Sequence, residues 1–178
     1  MTTTSLRYDD VNVGDQLPEL DIPLTRTLIV STAIASRDYQ DVHHDPGLAQ
    51  ERGSPDIFMN ILTTNGLVGR YITDWAGPNA LLKAVRIRLG APNYPGDTMK
   101  ITGAVTRKDA GEIEVGVKGS NKLGDHVIGT VVLALPDAPT GTATKQQAKQ
   151  DRQQAKQDKK QAKRDKKQAK QKNKKGRK

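Results

Sequence analysis

Apolar positions along the chain fall into two periods. Phe58, Ile61, Leu62, Val68, Tyr71, Ile72 and Trp75 recur largely at three- and four-residue spacing, the period of one helix face. Ser54-Pro55 before them suits an N-cap with proline in the first turn, and Gly77-Pro78 ends the helix. Gly66 and Gly69 are poor helix formers, and their presence inside this helix predicts a close approach by a sheet. After the helix the period drops to two. Residues 81–89, 98–107, 112–118 and 125–135 predict four strands. In two of them Ile101, Gly103 and Val105, then Ile113, Val115 and Val117, alternate with polar or small residues. Residues 109–111 and 121–125 predict hairpin turns. Ahead of the helix, residues 13–18 read as a turn and an extended lead-in. The β-branched run 25–30 reads as a strand, 31–36 as one or two helical turns, and 38–55 as a loop with one turn of helix. One long helix that must lie on a meander of strands makes an α+β domain. With one Phe and one Trp the core is thin, so burial against a second subunit, a dimer at least, is expected.

Charge changes this picture only at the C-terminus. The chain of 178 residues carries a formal net charge of +9. Residues 145–178 hold thirteen Lys and three Arg against three Asp, a net of +13, which leaves −4 for residues 1–144. The domain is therefore expected to occupy residues 1–137, with a linker at 138–144 and a Lys/Gln/Ala-rich basic tail at 145–178. The tail repeats with a period of seven, but only one Ala per heptad is apolar. A coiled coil needs two larger apolar positions, so a solvated, disordered or partly helical tail is expected. Lys-rich segments bind nucleic acid, acidic partners or membrane surfaces through charge. The reading preferred here is a solubilising extension, with nucleic acid not expected as a partner. The absence of cysteine excludes disulfides and cysteine metal sites. Three His without Cys lack zinc spacing, so no metal is expected. No secretory signal and no membrane-length apolar run is visible, and a cytoplasmic protein is expected.

The chemistry concentrates in Ser36-Arg-Asp-Tyr-Gln-Asp-Val-His-His-Asp-Pro46. An acid and an imidazole five apart, Asp38 and His43, can converge on one water. Adding water to an enoyl thioester needs a base for the water, a proton for the α-carbon and a donor for the thioester oxygen. Asp38 and His43 meet the first two needs. Backbone N–H groups at a helix start meet the third, because they lack intrahelical partners and carry partial positive charge.

Residues 36–60 resemble the hydratase motif of the MaoC-like family of (R)-specific enoyl-CoA hydratases. The match falls at Ser36, Asp38, His43, Asp45, Pro46, Ala49, Gly53 and Ile57, and the resemblance spans roughly residues 11–135. It implies the hot-dog fold, a long central helix wrapped by an antiparallel sheet, used as a dimer of such units. It implies Asp38 and His43 as the catalytic residues, and Asn60, with Met59 and His44 nearby, as oxyanion or substrate contacts. The family's Gly stands here as Arg37, its Asn-Pro as Gln40-Asp41, and its His-Gly at the helix start as Met59-Asn60. The segments 37–45, 56–62, 73–78 and 123–127 look like one subgroup, the small subunits of actinobacterial steroid (cholesterol) side-chain enoyl-CoA hydratases. That resemblance implies a steroid acyl-CoA whose C17–C20 double bond is conjugated to the thioester, hydrated to a 17-hydroxy product. CoA would be the substrate's carrier, and no retained cofactor is expected. The implied partner is a second MaoC-like chain fused to a zinc-ribbon/OB acyl-CoA-binding-like domain, in an α2β2 assembly. A thiolase-like retro-aldolase would join through that companion.

Other readings stay open from the residues alone. Arg37 and Gln40-Asp41 favour a non-catalytic structural hot-dog subunit. A hot-dog acyl-CoA thioesterase shares the fold and the CoA ligand. Arg86 and Arg88 lie two apart on one strand and so face one side, where solvated charges or contacts to CoA phosphates both fit. Asp45-Pro46 suits a turn start, Asp125-His126 a hairpin turn and strand start, and Tyr71 and Trp75 a core or an interface.

Overall fold

The computed structural model describes residues 5–136; the linker and tail expectations for 138–144 and 145–178 lie outside the described residues. The elements run β1 (Leu20–Pro23), α1 (Arg26–Ala35), α2 (Pro46–Glu51), α3 (Ile61–Ala76), β2 (Leu81–Leu89), β3 (Thr98–Asp109), β4 (Glu112–Asn121) and β5 (Gly124–Ala134), with 3₁₀ turns at Tyr8–Asp10 and Asp41–His43. The strands form one antiparallel sheet in the order β1-β3-β4-β5-β2. Helix α3 lies on it, which is the expected α+β hot-dog arrangement.

Alternation is what places the core. Met99, Ile101 and Val105 of β3, Ile113, Val115 and Val117 of β4, and Val127, Val131 and Leu133 of β5 are buried, and so are Val68, Tyr71, Ile72 and Ala76 of α3. A sheet glycine makes room for a helix side chain. A Cβ on Gly103 would stand 3.0 Å from Cε1 of Tyr71. The expectation that Gly66 and Gly69 admit the sheet fails. A Cβ on Gly66 meets nothing within 4 Å, and one on Gly69 meets only Leu82 at 3.8 Å.

Two further expectations change. Residues 25–30 are helical, not a strand. Thr25 caps α1 by accepting from the Leu28 N–H at 3.0 Å, and Ile29 and Ala33 are fully buried. Packing of that face outweighs the β preference of the run, which is weak and context-dependent. The turn of helix expected within the loop 38–55 is α2, capped by the Asp45 carboxylate at 3.0 Å from Leu48 N. The long helix starts at Ile61, with Asn60 rather than Ser54 as its N-cap. Residues 58 and 59 stay extended because their N–H groups bond to the carbonyls of Val42 and Asn93, both at 3.0 Å. The strand β1 was not foreseen: it has four residues and ends in Pro23, and only Ile22 of it is buried.

Candidate active site

The site forms where the end of α1, the 3₁₀ turn and the start of α3 meet. Ser36 caps α1, its hydroxyl 2.8 Å from the Thr32 carbonyl. The chain then turns through Arg37 at φ 59°, the left-handed region where glycine is at ease. Arg37 stands where the family has Gly, so the backbone shape survives the substitution, at a cost of about 1 kcal/mol. Asp38 follows, its N–H bonded to the Ala33 carbonyl at 2.9 Å. At the next element, the segment ahead of α3 is clamped to α1. Arg26 meets the Asp56 carboxylate through both guanidinium nitrogens, at 2.9 and 2.7 Å. That hydrogen bond holds the Asp56 carboxyl below its usual range.

His43 is 6% exposed and is fixed from one side. Its Nδ1 lies 2.7 Å from the Phe58 carbonyl, which only accepts, so Nδ1 carries the proton. The Phe58 ring meets the imidazole edge-on at a centroid distance of 5.1 Å. Nε2 faces Oδ2 of Asp38 at 3.4 Å. With the ring neutral both atoms accept, and a water that donates one hydrogen to each turns its lone pair outward.

Asp38 is braced by Asn60, which is 1% exposed. The Asn60 amide nitrogen donates to Asp38 Oδ2 and to Ser36 Oγ, both at 3.0 Å, while its oxygen accepts from Thr63 N at 2.9 Å. One side chain thus caps α3 and aims the carboxylate. Asn ahead of an apolar run is an N-cap signal; no local signal reveals that its amide also reaches Asp38. Helix α3 carries no acidic residue in its first turn, so its unpaired N–H groups remain available to a developing anion. Ile61 and Leu62, about half exposed, give the adjoining surface apolar character.

The structure brings Asp38, His43 and Asn60 together and separates the other candidates. Met59 is 2% exposed and its N–H is taken by the Asn93 carbonyl at 3.0 Å, so it presents neither side chain nor backbone donor to a ligand. His44 turns its Nε2 to the Tyr39 carbonyl at 3.2 Å, away from the pair. Asp41 pairs with Arg52 at 2.6 Å. Arg86 and Arg88 line a shallow hollow on the sheet with Lys118 and Thr102. His126 lies at the start of β5, as expected, and is 2% exposed with its ring against Thr64 of α3. Among the described residues, no three His, Asp or Glu side chains converge as a metal ion would require, and no helix is long and apolar enough to cross a membrane.

Over 126 residues, 71% of this chain and 98% of the relative, the sequence is 56% identical to the 3-oxo-4,17-pregnadiene-20-carboxyl-CoA hydratase beta subunit of Mycobacterium tuberculosis. A chain from the crystal structure of the ChsH1-ChsH2 complex of Mycobacterium tuberculosis, also 56% identical, superposes with a TM-score of 0.69, covering 70% of this chain and 98% of that one. The unliganded R-hydratase PhaJ1 from Pseudomonas aeruginosa shares the fold at 20% identity, with a TM-score of 0.68 over 76% of this chain and 87% of that one. The MaoC like domain matches residues 12–125, and the chain belongs to the MaoC-like family.

Proposed function

We propose that this chain is the hydrating subunit of an enoyl-CoA hydratase. The observation that carries the reading is the pairing of His43 Nε2 with Asp38 Oδ2 at 3.4 Å, the first held by the Phe58 carbonyl and the second by the buried Asn60. Water bound between them attacks the β-carbon of the enoyl thioester. Asp38 takes one of its protons, and the new C–O bond forms as the double-bond electrons move to the α-carbon and thioester oxygen. N–H groups at the start of α3, that of Asn60 among them, stabilise the developing oxyanion. The proton passes from Asp38 to Nε2 of His43, whose Nδ1–H stays on the Phe58 carbonyl, and from there to the α-carbon. The thioester remains whole, and nothing beyond water and the enoyl-CoA is consumed.

The substrate proposed is a steroid side-chain enoyl-CoA with a C17–C20 double bond, giving a 17-hydroxy acyl-CoA. The name of the relative at 56% identity supports this. So does the apolar surface of Ile61 and Leu62, each about half exposed, next to Asn60 at the start of α3. A partner MaoC-like chain, in an α2β2 assembly, fits the complex in which the similar chain was crystallised. Its fusion to a zinc-ribbon/OB-like domain, a thiolase-like retro-aldolase docked through it and a cytoplasmic location belong to the same proposal. The product is a β-hydroxy thioester with a tertiary alcohol, the kind of bond pattern a retro-aldol reaction cleaves.

The test is loss of the conjugated enoyl-thioester absorbance, with the chain alone and co-produced with the companion chain, beside Asp38→Asn. Turnover lost in the variant, without release of free CoA, is the expected result. Free thiol would instead establish a thioesterase. Turnover unaffected by Asp38→Asn, or absent with steroid and linear enoyl-CoAs alike, would overturn the reading in favour of a structural subunit.

A further inference from the structure

Behind the start of α3 lies a second buried histidine that the hydration chemistry does not use. His126, on β5, is 2% exposed, and both of its ring nitrogens are engaged. Nδ1 lies 2.7 Å from the Ala91 carbonyl and Nε2 lies 2.8 Å from Oγ1 of Thr64. A carbonyl only accepts, so Nδ1 carries the proton, and Nε2 accepts the hydrogen of the Thr64 hydroxyl. The ring is neutral in this arrangement, with no bonding capacity left over. Thr64 is itself fully buried and closes the first turn of α3, its N–H bonded to the Asn60 carbonyl at 3.2 Å.

The loop that receives His126 also holds the other side of Asn60. Gly90 and Ala91 donate to the carbonyls of His126 and Asp125 at 2.8 and 2.9 Å, and the Asn93 carbonyl accepts from Met59 N at 3.0 Å. Asn93 is fully buried and takes a hydrogen bond from Asn121 at 2.8 Å. Residues 59 and 64, which flank the Asn60 cap and its first turn, are thus tied to one short loop, the first directly and the second through His126 and Thr64.

We infer that His126 is a positioning residue: through Thr64 it holds the first turn of α3 where Asn60 grips Asp38 and where the helix N–H groups face the substrate. The inference rests on the hydration reading above. Loss of the contact shifts the turn, and small displacements of reacting groups are costly in rate.

The test uses the full chain with its companion and compares Thr64→Val, which removes the hydroxyl at nearly constant volume, with Thr64→Ser, which keeps it. Thr64→Val is expected to lower kcat about tenfold with KM changed less than about twofold, because orientation and not binding is lost. Thr64→Ser keeps kcat near the wild-type value. His126→Phe removes the Thr64 contact together with the Ala91 bond, so it lowers kcat at least as far, and the double variant is no worse than His126→Phe alone. Amide hydrogen exchange rises at residues 59–63 in Thr64→Val and stays unchanged in the β3–β4 hairpin. An unchanged kcat in a folded Thr64→Val, or an equal loss in Thr64→Ser, overturns the inference. Should His126→Phe not fold, the Thr64 pair alone decides. If the wild-type protein hydrates no enoyl thioester, the hydration reading fails first. The positioning is then read from the carboxyl carbon signal of Asp38, which moves in Thr64→Val and not in Thr64→Ser if His126 acts as inferred, and is unmoved in both if it does not.

Discussion

His43 and His126 are held alike up to their last contact. Each ring is buried, each turns a protonated Nδ1 to a backbone carbonyl at 2.7 Å, and each belongs to the surroundings of the α3 start. They differ at Nε2. In His126 that lone pair meets a hydroxyl donor at 2.8 Å and the ring is satisfied. In His43 it faces a carboxylate at 3.4 Å, and with the ring neutral the two acceptors can share a donor such as water. On the function and the inference proposed above, the same side chain is a brace in one place and a reactive group in the other. What distinguishes them is the chemistry of a single facing atom, together with access: the Asp38 side chain retains 17% exposure, whereas Thr64 has none.

The largest effect should come from removing that carboxylate. Asp38→Asn puts a neutral amide there, which keeps an oxygen for the Asn60 amide but cannot take a proton from water. Turnover is expected to fall on the order of a thousandfold, within what general-base loss costs, with the assembly intact by size-exclusion chromatography. Retained turnover would erase the distinction between the two histidines.

Asn60 links the two regions, and its two functions separate by substitution. Asn60→Ala is expected to lower turnover at least tenfold by freeing Asp38, and to cost about 1 kcal/mol of stability through the lost cap. Asn60→Ser keeps a capping oxygen but has no amide to reach Asp38, so thermal unfolding stays near wild type while turnover remains low. Equal stability losses in both variants would show that the amide contact, not the cap, stabilises this turn.

Acid should expose the His126 side of the comparison. Burial pushes its pKa below the usual 6.5, against the smaller opposing effect of the Ala91 carbonyl. Below pH 6.5 the unfolded chain binds a proton that the folded one refuses, so stability falls as pH drops from about 6.5 towards the lowered folded value. His126→Phe, where it folds, is expected to flatten that acid limb in denaturant titrations. An unchanged limb would assign it to other groups.

The smallest effect concerns Arg37. Its left-handed backbone at φ 59° favours glycine. Arg37→Gly is expected to relieve strain worth about 1 kcal/mol, less the flexibility glycine adds to the unfolded chain, with turnover unchanged. Lost turnover there would give the Arg37 side chain a part in binding.

Much of this was legible in the chain. The alternation of Ile113, Val115 and Val117 marked β4 because one face of a sheet is buried. Gly77, at φ 86°, ended α3 where the sequence placed the break. Asp38 and His43 were singled out by spacing and by resemblance, and the structure brings them within 3.4 Å. The misreadings have a common cause. Residues 25–30 looked like a strand by composition, and Ser54 looked like the cap of the long helix. Both were decided by contacts with residues far along the chain: the burial of Ile29 and Ala33, and the bonds from Phe58 to Val42 and from Met59 to Asn93.

The sequence by itself determined the strand meander, the apolar stripe of the long helix, the contrast between a mildly acidic domain and a basic tail, and the identity of the acid and imidazole. Those properties follow from period, propensity and charge, which act over a few residues and can be read along a line. Tertiary structure alone decided which atom each side chain faces. Residue 60 reaches 38 and residue 64 reaches 126 only because a helix laid on a sheet brings distant segments together. It is these contacts that set His43 against a carboxylate and His126 against a hydroxyl.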